Sequence, residues 1–457
     1  MAEFKVVCQQ PGGNGAERIF FYDNEGGFLL DAHGVPVGDV PEKWDYNIAP
    51  KTHGALDPIT KDGTPEVLKI QMGLSCNFDC SYCLQKYVPR TEEHSVKLAP
   101  GLIEKLKNNI EREPRNIQLW GGEPFVYIKT MRPLVAEIKK FWPNSQFSII
   151  TNGSLLTQEN MDWVMENNIH LSISHDGPGQ PTRGPDPFED PVEFARIKDF
   201  YWKMKERRAI SINPMIYRQN QDRAAVAQYF IELFGDPDIN LGEGGFIELY
   251  DAQHKDNALK GKQEHFDYRL LAFNNSRAGL DRNFGIIGQK LEAWTTAMRH
   301  GLVTDSLVSK CGMDHPSNLT VDMEGNVVTC QNVTANSTGP NGQSHKGGTI
   351  DDLAGVKITT STHFSNRPHC SKCPVVQVCR GNCMFLEGDL FYGTCNTSFS
   401  DNIALWALAI EKITGWLPVF IDAPWLPPER QDIWGLRLNH MDSAAEKLQQ
   451  IGVAAHG

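Results

Sequence analysis

The sequence predicts an α/β protein whose largest domain is built from parallel βαβ units. Three observations support this fold class: apolar, β-branched runs recur from Val67 onward, segments with helical spacing separate them, and polar or glycine-rich motifs follow successive runs. Strands that are apolar on both faces and alternate with helices form parallel sheets. Six such units make either a partial barrel or an open doubly wound sheet.

The predicted elements alternate along the chain. The strands are "VLKIQM" (67–72), "NIQLW" (116–120), "FSIIT" (147–151), "IHLSIS" (169–174), "AISINPMIY" (209–217) and "GFIELY" (245–250). The helices between them cover 100–113, 130–142, 158–168, 191–208 and 222–234. In either form of parallel sheet, functional groups are expected at the carboxyl ends of the strands.

The remaining segments complete a prediction of five parts. Residues 1–66, rich in Gly, Pro and Asp, are predicted to be an irregular N-terminal extension to the domain at 67–250. A helical connector at 251–310 precedes a cysteine-rich domain at 311–399, and a helix and tail occupy 400–457.

Composition excludes several classes of function. The chain has 457 residues and a formal net charge of −12, without a block of basic residues. Nucleic-acid binding is therefore not expected, because it needs a concentrated basic surface. No apolar run approaches the roughly 18 residues of a membrane span, and the N-terminal sequence lacks the pattern of a signal peptide. We therefore expect a cytoplasmic protein that is not bound to a membrane.

The positions of the eleven cysteines indicate metal ligation rather than disulfides. Cys8 stands alone and is interpreted as a small buried residue, three cysteines lie within 76–83, and seven lie within 311–395. A reducing cytoplasm disfavours disulfides, and scattered core cysteines would not separate into such groups.

The first group, "CNFDCSYC", can hold three corners of a cubane iron–sulfur cluster through Cys76, Cys80 and Cys83. The fourth iron is then open to an exogenous ligand. A structural metal site would be closed, so an incomplete one indicates chemistry. The alternative is a zinc site completed by a distant residue such as His94.

Four motifs together carry a resemblance to a known family. They are "CNFDCSYC" (76–83), "GGEP" (121–124), "TNG" (151–153) and "SHDGPG" (174–179), and each follows a predicted strand. Singly, each of the last three is an ordinary turn. In this order, with Tyr82 before the last cysteine of the loop, they resemble the radical S-adenosylmethionine (radical SAM) superfamily over roughly residues 67–250.

This resemblance implies a partial (β/α)6 barrel and S-adenosylmethionine chelated to the open iron. An electron from the cluster then cleaves the sulfonium, and the 5′-deoxyadenosyl radical abstracts a hydrogen atom. Glu123, with the backbone of Gly121 and Gly122, is expected to hold the amino group, and a carboxylate suits an ammonium ion. Further expected contacts are Ser174 and Asp176 to the ribose and carboxylate, Asn152 to cofactor or substrate, and Tyr82 to adenine.

The second cysteine array resembles the SPASM domain, a small α+β extension that holds two auxiliary 4Fe–4S clusters. With the cluster of the barrel, the chain would then carry three. By the family's pattern, an outer set would comprise Cys370, Cys373, Cys379 and Cys395, and an inner set Cys311, Cys330 and Cys383. Zinc is the alternative metal for this array.

The inner set lacks a fourth cysteine, because two all-thiolate cubanes need eight and the array has seven. His315 is one candidate for the missing ligand. The other possibility, which we favour, is a site open to a substrate thiolate, an amide or water.

Resemblance to SPASM proteins also implies a substrate class. Most members modify peptides or proteins by crosslinking or another oxidation, and a minority oxidise aminocyclitols. Gln331 stands where the formylglycine-forming subgroup carries an aspartate, which counts against that activity. We expect a peptide or protein substrate and a reductant such as flavodoxin or ferredoxin. The alternatives are a small-molecule dehydrogenase and a non-catalytic electron carrier or zinc scaffold; no catalytic acid or base is assigned.

Overall fold

The computed structural model describes residues 2–11, 16–38, 53–89, 93–242 and 245–436. The strands are β1 (Glu3–Gln9), β2 (Glu17–Asp23), β3 (Leu29–Leu30), β4 (Val67–Gln71), β5 (Asn116–Trp120), β6 (Gln146–Thr151), β7 (His170–Ile173), β8 (Ile210–Ile212), β9 (Asn318–Asp322), β10 (Asn326–Val328), β11 (Lys346–Thr349) and β12 (Leu417–Asp422). The α-helices are α1 (Ser95–Asn109), α2 (Ile128–Phe141), α3 (Gln158–Glu166), α4 (Pro191–Glu206), α5 (Arg223–Phe234), α6 (Gly261–Arg277), α7 (Gly285–His300), α8 (Val376–Cys379), α9 (Gly388–Thr414) and α10 (Pro428–Gln431).

The main sheet has the order β11-β10-β9-β4-β5-β6-β7-β8, and its strands from β4 to β8 are parallel. Helices α1 to α4 connect these strands, so the α/β fold class is confirmed. Strand β9 pairs in parallel with β4, and β10 and β11 continue the sheet antiparallel. The cysteine-rich part of the chain therefore extends the sheet of the βα domain, a connection that the sequence did not predict.

The sixth predicted strand is not regular. Past β8, parallel pairing continues only as single bridges, from Ile212 to Leu241 and from Ile216 to Phe246. The prediction extended the fifth strand to residue 217, but Pro214 follows shortly after β8 and has no N–H to donate to a ladder.

Residues 1–66 are not an irregular extension where the structure describes them. Strands β1, β2 and β3 form an antiparallel sheet with β12 in the order β12-β1-β2-β3. The pairing partner of β1 comes from the other end of the chain, so no local pattern reveals it. Cys8 is fully buried in β1, as interpreted. The rest of the predicted extension at 39–52 and of the predicted tail at 437–457 lies outside the described residues, and the domain boundaries remain predictions.

Helix α9 is longer than the predicted 400–416, because it begins at Gly388. Its first turns have modest helix propensity, so tertiary packing against α6 and α7 determines its length. Asp401, on this helix, is buried and accepts from Arg223 at 2.9 Å and Lys290 at 2.7 Å. In the described parts of the chain, no helix combines the length and apolar character that a membrane crossing requires.

Candidate functional site

The loop after β4 and the ends of β5, β6 and β7 surround a cavity of about 230 Å³. Its lining includes the three loop cysteines and most of the residues predicted to contact S-adenosylmethionine: Cys76, Cys80, Cys83, Tyr82, Gly121, Gly122, Glu123, Asn152 and Ser174. Two residues differ from the prediction: Asp176 does not line this cavity, and Arg183, which no motif indicated, does.

The "GGEP" turn presses directly against the cysteine loop. A Cβ atom on Gly122 would stand 2.4 Å from the backbone oxygens of both Leu74 and Ser75, so only glycine permits this approach. The next residue, Glu123, donates its backbone N–H to the Ser75 oxygen at 2.9 Å. The turn therefore holds the end of β5 at a set distance from the loop.

Glu123 is a buried carboxylate in the wall of the cavity, with 1% of its surface exposed. Its Oε1 accepts from the Phe125 N–H at 3.0 Å and the Thr151 hydroxyl at 2.7 Å, and its Oε2 accepts from the Asn152 N–H at 2.7 Å. Burial raises the pKa of Glu123, and these three hydrogen bonds oppose the rise. A carboxylate has about four acceptor positions, so Oε2 retains room for a cationic donor such as an ammonium group.

Asn152 joins the "TNG" turn to the cysteine loop. Its side-chain amide donates to Asn77 Oδ1 at 2.8 Å, and its Oδ1 accepts from the Ser154 hydroxyl at 2.6 Å. Asn77 lies within the cysteine loop, so these contacts hold the loop in place while Asn152 also lines the cavity.

Asp176 does not line the cavity but accepts hydrogen bonds from residues that do. The fully buried carboxylate accepts hydrogen bonds from the Tyr82 hydroxyl, from Arg183 at 3.4 Å and from the Met215 N–H at 2.9 Å. The sequence predicted that Asp176 contacts the cofactor directly. In the structure its oxygens are turned to protein donors because a buried charge needs partners.

Arg183 is 9% exposed, and its guanidinium donates to the Tyr82 hydroxyl at 2.8 Å. Its Nε is buried without a hydrogen-bond partner among the described residues. A buried guanidinium in the cavity wall suits a carboxylate ligand. Sequence reasoning missed it because Arg183 follows a Gly/Pro-rich turn outside any of the four motifs.

Burial raises the pKa of the Cys76 thiol and raises that of Cys80 to about 12. Cys76 and Cys80 therefore stay protonated in the absence of a metal, and binding of a metal releases their protons. Three thiols with no fourth cysteine in the lining fit a cubane with one open iron.

A second cavity of about 530 Å³ adjoins the first. The residues shared by the two linings are Leu84, Trp120, Ile150, Ser174, Met215 and Asn332. The lining of the second cavity also contains all three cysteines of the inner set, Cys311, Cys330 and Cys383. The structure thus places the three cysteines of the inner set around a cavity that shares part of its wall with the first cavity.

In the inner set, the charge of one thiol affects the pKa of the other two. Burial first, and then the negative charge of Cys311, raises the pKa of Cys330 to about 12. Burial and, among further causes, the same Cys311 also raise the pKa of Cys383. His315 is not in the lining, and its Nδ1 is hydrogen-bonded to the Ser317 hydroxyl at 2.7 Å. Gln331 lies in the lining and accepts from Lys69 at 3.2 Å.

The outer set is a separate buried group. After burial, the charges of Cys379, Cys395 and Cys373 are the causes that raise the pKa of Cys370. Arg430 donates to the Cys395 sulfur at 3.3 Å, and the Ser398 hydroxyl lies 3.4 Å from the Cys379 sulfur. Four thiols with such partners, of which Cys370, Cys373 and Cys379 are buried, fit a cubane ligated entirely by thiolates.

All eleven cysteines are free thiols in the structure. Among the residues that the structure describes, no three His, Cys, Asp or Glu side chains are grouped closely enough to share one metal ion. In a cubane, each thiolate binds a different iron.

Comparison with known proteins identifies the class to which this site belongs. Residues 70–202 match the Radical SAM superfamily, so the chain contains a radical SAM domain, and the predicted resemblance is confirmed. The match implies S-adenosylmethionine and one 4Fe–4S cluster as cofactors.

Individual relatives are more distant. The chain is 23% identical over 358 residues to "Radical SAM cyclopropyl synthase TigE" of Paramaledivibacter caminithermalis, covering 71% of this chain and 70% of that protein. It resembles the solved structure of hexahistidine-tagged anSMEcpe with bound AdoMet, with a TM-score of 0.52, 16% identity and coverage of 77% of this chain and 98% of the other. Native anSMEcpe with AdoMet and the Cp18Cys peptide gives a TM-score of 0.50 at 16% identity, over 76% and 99% of the two chains. At these identities, the structural likeness concerns the fold.

Proposed function

We propose that this chain is a radical SAM enzyme that abstracts a hydrogen atom from a peptide or protein side chain and so starts a crosslink or another oxidation. The observation that carries the proposal is the pair of adjoining cavities, with the three-cysteine loop in one and the inner cysteines in the other. A substrate group in the larger cavity would lie between a radical source and an electron acceptor. Its volume of about 530 Å³ is within the usual range of ligand sites.

The first cavity offers complementary groups for the ammonium and the carboxylate of S-adenosylmethionine. Cys76, Cys80 and Cys83 would hold the cluster, Glu123 would accept the ammonium group, and Arg183 would pair with the carboxylate. When bound, cluster and cofactor together supply a carbon-centred radical able to abstract hydrogen from an unactivated carbon. The residues of the cavity would bind S-adenosylmethionine and orient it. Such orientation lowers the activation barrier most when the reacting atoms are held at contact distance.

The second array would hold two auxiliary clusters in separate places. The inner set, at the substrate cavity, is suited to accept the electron left on the substrate after hydrogen abstraction. The outer set is buried beside Arg430 and Ser398, and it would pass that electron onward or hold α9 in place. A reductant such as flavodoxin or ferredoxin would supply the electron for the first cluster, and a cytoplasmic location would keep the thiols reduced.

Two relatives support a peptide substrate and bond formation. One of the similar solved structures contains a peptide together with AdoMet. The curated relative is named for a cyclopropyl synthase, an activity that closes a carbon–carbon bond. The lining of the larger cavity is mostly apolar, with Trp120, Phe246 and Phe385, and it suits an aliphatic or aromatic side chain.

The test is turnover with a candidate peptide under anaerobic conditions. The reconstituted enzyme is incubated with S-adenosylmethionine, a strong reductant and a short peptide encoded beside its gene, and 5′-deoxyadenosine and peptide mass are measured. We expect peptide-dependent 5′-deoxyadenosine release and a peptide that has lost hydrogen. The matched control is Cys8→Ala, which alters a buried cysteine outside both arrays and is expected to retain activity.

Other outcomes would favour the alternatives. Release that depends on an aminocyclitol but on no peptide indicates a small-molecule dehydrogenase. A protein with iron that never cleaves S-adenosylmethionine is an electron carrier, and one with zinc in place of iron is a scaffold. Any of these three results contradicts the proposal.

A further inference from the structure

The inner cysteine set is short of one ligand, and one acidic side chain lies in the lining of the cavity that contains all three of its thiols. Glu248 lines this cavity together with Cys311, Cys330 and Cys383, and the described lining contains no other carboxylate. Its side chain is 16% exposed, so it is largely withdrawn from bulk solvent.

The segment that carries Glu248 follows the single bridge from Ile216 to Phe246 and forms one side of this cavity. Gly245, Phe246, Ile247, Glu248 and Tyr250 all line the cavity. The sequence run that was predicted as a sixth strand therefore serves as a wall of the inner site.

Two neighbours hold the carboxylate at this position. The Tyr250 hydroxyl donates to Glu248 Oε2 at 2.7 Å. Lys310, next to Cys311 in the chain, donates to Glu248 Oε1 at 3.4 Å. One hydroxyl thus orients the carboxylate, and one cation offsets its charge in a site of low dielectric.

We propose that Glu248 supplies an oxygen ligand to the fourth corner of the inner cluster, in place of an eighth cysteine. The inference rests on the proposed function, because it takes the inner set to hold a cluster. His315 is not placed for this role in the structure, because it is absent from the lining of the cavity that contains the three cysteines.

Ligation of one iron by a carboxylate in place of a thiolate has a functional consequence. Iron–sulfur sites prefer soft thiolate ligands, so an oxygen ligand is the one most readily displaced. A substrate donor that enters the cavity can take its place while Lys310 and Tyr250 retain the released carboxylate. The corner would therefore be closed at rest and open to substrate.

The experiment isolates the auxiliary clusters in the full-length chain. In a Cys76→Ala/Cys80→Ala/Cys83→Ala parent, the one cluster corner without a thiolate ligand would be that of the inner cluster, and about eight irons are expected from two cubanes. Glu248→Cys, Glu248→Gln and Glu248→Ala are added to this parent. Iron content, the EPR signal, the midpoint potential and binding of ¹³C-cyanide to the reduced protein are measured.

We expect Glu248→Cys to retain the iron, to lower the midpoint potential and to abolish cyanide binding, because a fourth thiolate closes the corner. Glu248→Gln and Glu248→Ala should retain the three thiolates, alter the EPR signal and bind cyanide more tightly than the parent. Glu292→Cys is the control, since Glu292 is an exposed residue of α7 that lines neither cavity, and it should match the parent.

Two results would overturn the inference, and they differ. If all Glu248 variants match the parent in EPR, potential and cyanide binding, Glu248 is not a ligand, whereas the proposed function stands. If the parent holds only about four irons, there is no inner cluster. In that case the two-cluster part of the proposed function fails, and the inference fails with it.

Discussion

The two cysteine arrays of this protein are built in opposite ways. The first lies within residues 76–83, on one loop, and its partners are the turns at the ends of neighbouring parallel strands. The second spans 311–395 and draws its thiols from the segment before β9, the end of β10, the turns around α8, and α9. A short loop can present three thiols and leave a corner open, whereas a set closed on itself needs chain segments that are brought together by folding.

Order along the chain also has a different meaning in the two arrays. Cys379 and Cys383 are close in sequence, yet Cys383 lines the larger cavity with Cys311 and Cys379 does not. None of the four outer thiols lines this cavity, and three of them, Cys370, Cys373 and Cys379, are buried. Under the proposed function, the first array would carry reactivity and the second would couple electron transfer to the stability of the fold. The following predictions test this contrast.

The largest effect is expected from the first array. Replacement of Cys76, Cys80 and Cys83 by Ala should abolish cleavage of S-adenosylmethionine, because no ligand remains for the cluster that binds it. About eight of about twelve irons should remain, since the second array needs none of these thiols. Iron analysis and 5′-deoxyadenosine release measure both quantities, with Cys8→Ala as control. Continued 5′-deoxyadenosine formation would show that the two arrays are wrongly assigned.

Within the second array, the outer set should matter more for stability than the inner one. Cys395→Ala and Cys311→Ala should each lose about four irons. Cys395 lies on α9, the helix that packs against α6 and α7, so its loss should lower the melting temperature more than loss of Cys311, which lies in the segment before β9. Anaerobic thermal denaturation compares the two variants. Equal melting temperatures would remove the distinction between a structural and a reactive cluster.

Glu123→Gln should weaken binding without changing cluster content. A hydrogen bond to a charged group contributes about 1.5–3 kcal/mol, which corresponds to roughly 10- to 100-fold in the dissociation constant of S-adenosylmethionine. Iron should be unchanged, because Glu123 is not a ligand of the first cluster. Equilibrium binding measures the affinity, and Glu104→Gln, on the exposed face of α1, is the matched control. An unchanged affinity would contradict the role of Glu123.

The smallest effect is a pH dependence of stability near the inner set. His345 is 3% exposed, its ring packs on Phe385, and burial lowers its pKa from 6.5 to about 4. The unfolded chain therefore takes up a proton at a higher pH than the folded one. The contribution of His345 to the free energy of unfolding is fully present above pH 6.5 and is lost as the pH drops towards 4. His345→Leu should reduce this loss by up to about 1.4 kcal/mol per pH unit. Urea unfolding between pH 7.5 and 5 measures it, and identical slopes for the two proteins would exclude His345 as the cause.

Much of the fold and of the first site could be predicted because it is local. Strands β4 to β7 and their helices follow short periodic patterns, and each motif of the first cavity directly follows a strand. The regions that the sequence misjudged depend on distant partners. Strand β1 pairs with β12 from the other end of the chain, and β9 joins β4 from the cysteine-rich part. The run at 245–250 has the apolar pattern of a strand in the sequence, but in the structure it lines the larger cavity.

The kinds of groups present can be read from the amino-acid sequence alone: three thiols on one loop, a "GGEP" turn, and seven cysteines within 311–395 where two all-thiolate cubanes would need eight. Which of these groups meet depends on tertiary packing. It turned Asp176 to support Tyr82, added Arg183 to the first cavity and brought Glu248 to the inner cysteines. The physical reason is that ligand chemistry is a property of side chains, whereas proximity is produced when distant segments pack into one core.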